Sequence, residues 1–153
     1  MDWTRFVLYP ALWAGLGVMW VAQALKPVFQ GWRGRGWDWR LIFEDGHMPS
    51  SHAALITGTT HAIGLFEGWN APLFALAVVL AIIVLYDAAN VRWQTGVHAR
   101  WLNQLLRRVF RNPRVPEEPL DEVVGHTPWE VFWGIVVGLA VAQLVFLLWP
   151  YRG

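Results

Sequence analysis

Polar and apolar positions along this chain alternate in long blocks rather than at short period. Charge-free apolar runs cover Phe6 to Leu25, Gly68 to Tyr86 and Val131 to Tyr151. Each approaches or exceeds the ~20 residues that cross a bilayer as a helix. A fourth run, Ala53 to Phe66, reaches that length only if its helix begins near Met48. The pattern predicts an all-α polytopic membrane protein, a single membrane domain with about four spans (6–25, 48–66, 68–86 and 129–149). Loops 26–47 and 87–128 then lie on one side, with a tight turn near 67–70 on the other. The first run is too long for a secretory signal core and lacks a small-residue cleavage site, so it reads as a helix of the mature protein.

Loop 87–128 carries one more periodic stretch. Thr95 is placed to cap a helix running to about Phe110, with Val97, Trp101, Leu105 and Val109 as its apolar stripe. Arg100, Arg107, Arg108 and Arg111 fall mostly elsewhere, which predicts a short cytoplasmic amphipathic helix lying against anionic lipid or serving only as a basic anchor. Arg111 to Pro119 reads as an irregular connector.

Charge fixes the expected orientation. Ten of the twelve Lys and Arg residues sit in the two large loops, and only Arg5 and Arg152 sit on the other side. The positive-inside rule puts both loops in the cytoplasm and both termini outside, in the inner (plasma) membrane. Trp3, Trp32, Trp37, Trp39, Trp69, Trp93, Trp129 and Trp149 flank the runs as an interfacial belt would. The chain has no cysteine, which excludes disulfides and thiolate chemistry, and a net charge of +1 with no basic domain gives no reason to expect a nucleic-acid partner.

The chemistry-bearing residues gather at the cytoplasmic edge. Lys26 and Arg33 follow the first run; Pro49-Ser50-Ser51-His52 opens the second; Asp87 and Arg92 follow the third; Gly125-His126-Thr127-Pro128 opens the fourth. Pro at a first helical position leaves the free N–H groups, the dipole and two hydroxyls facing one spot, which suits phosphate. A histidine there can move a proton near neutral pH.

These residues, in this order, resemble the type 2 phosphatidic acid phosphatase superfamily, which includes the vanadium haloperoxidases. Its divergent bacterial and plant branch is the closer match. That branch carries Gly-x-Met-Pro-Ser-Ser-His-Ser-Ala, Tyr-Asp-Ala-x-x-Val-Arg, Gly-x-x-Ala-x-x-Leu-Asn and Gly-His-Thr-Pro-x-Glu-Val. The chain reads Gly46-His47-Met48-Pro49-Ser50-Ser51-His52-Ala53-Ala54, Tyr86-Asp87-Ala88-Ala89-Asn90-Val91-Arg92, Gly96-Val97-His98-Ala99-Arg100-Trp101-Leu102-Asn103 and Gly125-His126-Thr127-Pro128-Trp129-Glu130-Val131. The resemblance implies metal-independent phosphoryl transfer, with no cofactor, through a phosphohistidine on a lipid phosphate substrate. Lys26, Arg33, Ser50, Ser51 and Arg92 would hold phosphoryl oxygens, and His52 would be the general acid. Gly34 replaces the Pro that follows the parent's first Arg.

The nucleophile stays open between two imidazoles. His98 has the parent's spacing from Arg92, but Leu102 stands where the orienting carboxylate belongs. His126 has the wrong spacing, but Glu130 lies one helical turn on and could fix its tautomer. That oriented-base logic favours His126. Simpler roles compete with these. Thr127 and Glu130 also form a capping box in sequence, and Asp87 could merely pair with Arg92. His61 in the second run calls for a helix partner, His47 reads as a loop residue in preference to a second proton shuttle, and Glu44, Asp45 and His47 lack a usual metal-ligand spacing.

The expected activity is hydrolysis of a lipid phosphomonoester or a prenyl (di)phosphate. The alternative is a non-catalytic membrane protein that binds or transports a phospholipid or phosphate anion. Four short helices enclose little volume, which leaves room for a homo-oligomer.

Overall fold

The computed structural model describes residues 9–44, 46–109, 119–122 and 125–149. Expectations resting on Trp3, Arg5, Asp45, Phe110, Arg111, Arg114 and Arg152 lie outside them. The described residues contain no strand. In chain order they form α1 (Pro10–Trp32), a 3₁₀ turn (Trp39–Ile42), α2 (Ser51–Glu67), α3 (Pro72–Tyr86), a π-turn (Asp87–Val91), α4 (Arg92–Val109) and α5 (Pro128–Leu148).

Local chemistry sets the helix starts. Proline occupies the first turn of α1, α3 and α5, where its missing N–H costs nothing. α2 is capped instead by Ser50, whose hydroxyl accepts from the Ala53 N–H at 3.3 Å. Pro49 therefore precedes the cap rather than taking the first helical position, a correction to the sequence reading. Between α2 and α3 the chain turns at Gly68, whose φ of 98° is costly for any residue with a Cβ.

α2 is the centre of the bundle: it packs against α1, α3 and α5, and α1 also meets α5. The seams are lined by small residues. Ala11, Ala14, Gly15, Val18 and Ala22 form the buried stripe of α1, and Gly58 of α2 sits against Val18. On α5, a Cβ at Gly134 would stand 2.5 Å from the Ser50 carbonyl oxygen, and one at Gly138 would run into Thr57. Small residues four apart let helix backbones approach within a bilayer, where no hydrophobic force drives helices together. Large side chains point the other way: Trp20, Ile82, Ile83, Leu144 and Leu147 are all exposed. Small-in and large-out is the arrangement expected of helices solvated by lipid. Helices α1 and α5, and the helical run from Pro72 to Arg108, are long and apolar enough to cross a membrane. α2, with 17 residues, spans roughly 25 Å and is flanked by them.

The four helices alternate in direction, so one end of the bundle gathers the C-termini of α1 and α3 with the N-termini of α2 and α5. The Ser50 N–H donates to the Glu130 carbonyl (3.0 Å) there, and the His126 N–H donates to the Ala88 carbonyl (3.3 Å). The opposite end carries Phe66 against Trp149 and Trp69 against Phe74.

Two expectations are corrected. First, α1 does not end at Leu25: it continues through a buried Pro27 to Trp32, so Lys26 is a helical residue. Hydropathy ends where the first charge appears, but the helix continues because that charge faces inward. Second, the amphipathic stretch does not start at a Thr95 cap. α3, the π-turn and α4 make one helical run of 37 residues, from Pro72 to Arg108. Its backbone N–H groups are already used, and the Thr95 hydroxyl donates to the Val91 carbonyl instead (3.0 Å). A helix of that length measures roughly 55 Å, against a hydrocarbon core of about 30 Å, so α4 extends the chain beyond the gathered end. Trp101 and Leu105 of its predicted stripe are exposed. Gly96, Ala99 and Asn103 face the other way, and Asn103 is clamped by the backbone of Leu120 and the carboxylate of Glu122.

Candidate functional site

Charge enters the gathered end from α1. Lys26 lies one turn beyond Ala22 on the buried stripe, which brings its ammonium inside at 1 % exposure. Burying a charge requires strong partners, and one is the Glu44 carbonyl at 2.6 Å. Arg33 caps the C-terminus of α1. Gly34 and Gly36 follow, both at positive φ (71° and 83°), and turn the chain sharply around Arg35.

A cavity of about 40 Å³ opens there, lined by Lys26, Arg33, Arg35, His47, Met48 and Glu130 together with Phe29 and Gln30. That is room for roughly three water centres, the footprint of the three free oxygens of one phosphoryl group. Three cations and one carboxylate surround it, so the cavity is suited to an anion.

The imidazoles sit at the neighbouring helix entrances. His52 is in the first turn of α2 and His126 immediately precedes Thr127, the N-cap of α5. Their ring centroids are 6.2 Å apart in an edge-to-face arrangement, and His126 is buried at 3 % exposure. Two features fix His126. Its N–H bonds to Ala88 in the π-turn. Gly125 before it has φ of 89° and lies directly against the Arg92 backbone, where no Cβ fits. A π-bulge displaces the helix backbone locally, and such bulges recur at functional sites.

The other sequence-derived candidates divide. Ser50 and Ser51 are buried at the α2 entrance, but the Ser50 hydroxyl is taken by its own cap. Glu130 forms the capping box: it accepts the Thr127 N–H at 2.9 Å while the Thr127 hydroxyl accepts the Glu130 N–H at 3.3 Å. Asp87 and Arg92 pair at 2.8 Å, about half exposed, on the π-turn that supports His126. The lining of the cavity includes neither the His52–His126 pair nor Arg92; it adjoins the pair through Met48 and Glu130. His98 is exposed on α4, the helix that continues directly from the π-turn. His61 bonds its expected helix partner, with Nε2 3.0 Å from the Gln143 Oε1.

Arg35, which is not among the sequence candidates, lines the cavity, and so does His47, which the sequence reading favours as a loop residue. The signal for both was glycine: Gly34 and Gly36 bracket one, and Gly46 precedes the other. Among the described residues no three carboxylate or imidazole groups cluster as metal ligands.

The profile of the Divergent PAP2 family matches residues 8–141 of the chain. A Bacillus subtilis (strain 168) protein described as "Uncharacterized membrane protein YuiD" is 33 % identical over 148 residues, covering 90 % of this chain and 93 % of that protein. No solved structure matches.

Proposed function

The chain belongs to the divergent PAP2 family of membrane proteins, and from that premise we propose that it is an integral-membrane lipid phosphatase working through a phosphohistidine. The observation that carries this reading is the pair of imidazoles 6.2 Å apart at the same end of the bundle as the cavity lined by Lys26, Arg33 and Arg35. Attack needs an imidazole nitrogen about 3–3.5 Å from phosphorus. The acid must stand about 2.6–3.2 Å from the leaving oxygen. Rings this close can serve two neighbouring atoms of one phosphate ester, phosphorus and the leaving oxygen.

In this reading a ring nitrogen of His126 gives its electron pair to phosphorus. The bond from phosphorus to the lipid oxygen breaks, and His52 passes its proton to that oxygen. Water then attacks the phosphohistidine, His52 takes a proton back, and orthophosphate leaves. Charge on the transferring oxygens is met by Lys26 and Arg33, donors already in place before reaction. Ser51 and the first N–H groups of α2 add to that field, and Arg92 holds the π-turn on which His126 rests.

The lipid assignment draws on position. The site lies where four helices emerge, at headgroup level. An apolar groove of about 240 Å³ runs along the bundle from Leu85 to Trp69, lined along the way by Val78, Ala81 and Leu139. Ten of twelve basic residues in the two loops support a cytoplasmic site in the plasma membrane, acting on a lipid made on that leaflet.

The test is inorganic phosphate release by the purified full chain in mixed micelles. The panel is phosphatidic acid, phosphatidylglycerol phosphate, and prenyl mono- and diphosphates. Turnover of at least one, unaffected by chelator, is expected. No release from any, with lipid phosphate bound tightly, would instead establish a non-catalytic anion binder.

A further inference from the structure

We infer that the groove between α2, α3 and α5 holds one hydrocarbon chain of the substrate lipid, laid along the bundle from the site to the Trp69–Phe74 pair. This rests on the lipid-phosphate reading above and adds to it the part of the molecule that recognises the tail.

The groove walls suit hydrocarbon and little else. Thr57, Thr60 and His61 share one face of α2, and all three line the groove. Polar side chains at membrane depth turn toward protein partners, and these do. The Thr57 hydroxyl donates to the Ala53 carbonyl, the Thr60 hydroxyl donates to the Ala77 carbonyl of α3 at 3.3 Å, and His61 Nε2 meets Gln143 Oε1 at 3.0 Å. The surface left to the groove is carbon throughout. A headgroup, a sugar or an ion would lose its hydration there and gain no hydrogen bond in return. At the rims, Ile82 and Leu139 are exposed. Helix α5 and the helical run that contains α3 are long and apolar enough to cross a membrane, so those rims open onto acyl chains. A tail enters sideways without leaving hydrocarbon.

The two ends of the groove decide which lipid supplies the chain. At one end Leu85 packs against Ala53, Ala88 and Val131. Ala53 follows His52 in the chain, and the Ala88 carbonyl accepts the His126 N–H at 3.3 Å. The groove therefore begins on the residues that support both imidazoles, where the ester oxygen joins phosphate to tail. At the other end Trp69 and Phe74 meet edge to face at 5.1 Å, with the His61 ring 5.5 Å from Trp69. From Phe74 to Leu85, α3 rises roughly 16 Å. One leaflet of the hydrocarbon core is about 15 Å deep, half of the whole. The groove is thus as long as the tail of one leaflet. A lipid held at its phosphate offers that tail as an intramolecular contact, an advantage that a passing bilayer lipid lacks.

The test uses the purified full chain in phosphatidylcholine vesicles that carry a small fraction of photoreactive phosphatidic acid. The diazirine sits either near the carboxyl end or at the last carbon of one acyl chain, and labelled residues are mapped by mass spectrometry. The first probe is expected to label around Leu85 and the second around Phe74 and Trp69. An about tenfold excess of unlabelled phosphatidic acid over the probe should cut this labelling about tenfold by mass action, and the same addition of phosphatidylcholine should not. Leu139→Trp fills the groove from an exposed position, so the fold is spared while the labelling is lost. Leu144→Trp, equally exposed on α5 but away from the groove, should leave it intact. Labelling spread evenly over Leu139, Leu144 and Leu147 and indifferent to phosphatidic acid would mean a passing bilayer lipid and would overturn the inference. Labelling that survives Leu139→Trp would do the same. The readout does not depend on turnover. This pattern without phosphate release from any lipid would sink the phosphatase reading and leave the tail in its groove. Turnover without the pattern would do the reverse.

Discussion

Replacing His126 by alanine is expected to lower kcat for phosphate release by on the order of 10⁴-fold or more, the scale at which a covalent nucleophile is lost. His52→Ala should lower it by about 10²–10⁴-fold, the range of a general acid, and His98→Ala should leave it within about two-fold, the range of a surface change remote from the site. The contrast follows from position. His126 is buried, held through its own N–H by Ala88, and faces His52 across 6.2 Å. His98 is exposed on α4. Steady-state kinetics on the most active lipid phosphate measure all three. Loss in His98→Ala with activity retained in His126→Ala would reverse the assignment. Truncating His126 removes no hydrogen bond from the backbone that holds the segment, so the folded state is expected to persist in that variant.

The second large effect belongs to Lys26→Met. The substitution keeps the length of the side chain and removes a cation buried at 1 % exposure in the cavity wall. Loss of one preorganised donor to the transferring group is expected to cut kcat/KM by about 10²–10³-fold. Stability should move differently. The desolvation cost of the buried ammonium disappears together with its bonds, the one to the Glu44 carbonyl included, so the variant is expected to stay folded while activity falls. Lys26→Arg should not restore activity, because a planar fork does not replace a compact ammonium in a confined wall. Parallel kinetics and thermal unfolding in detergent read both quantities. A variant that unfolds and loses activity together would mean that Lys26 is structural; one that stays fully active would remove it from the site.

Much of this arrangement is legible in the chain. Apolar runs report helix number because the bilayer sets a length and excludes charge, and Thr127 with Glu130 announces a capping box through short-range hydrogen bonds. What escapes is whatever depends on packing. Lys26 reads as the end of a span, since hydropathy registers a charge and not the direction in which it points. Thr95 reads as a helix start because nothing local shows that α3 continues through the π-turn. Glu130 shows two roles in sequence, and the structure places its carboxylate on the Thr127 N–H. Arg35 and His47 are brought to the cavity by left-handed turns. Glycine flags such turns without saying which side chain they will aim inward.

The proposed function turns on one event, transfer of a phosphoryl group to a ring nitrogen of His126. The most direct measurement is ³¹P NMR of the purified protein, rapidly denatured in base during turnover of a lipid phosphate. The account predicts an acid-labile phosphoramidate signal in wild type, a stronger one in His52→Ala supplied with a substrate whose leaving group needs no protonation, and none in His126→Ala. Turnover without that signal under any trapping condition, or the same signal persisting in His126→Ala, would contradict it.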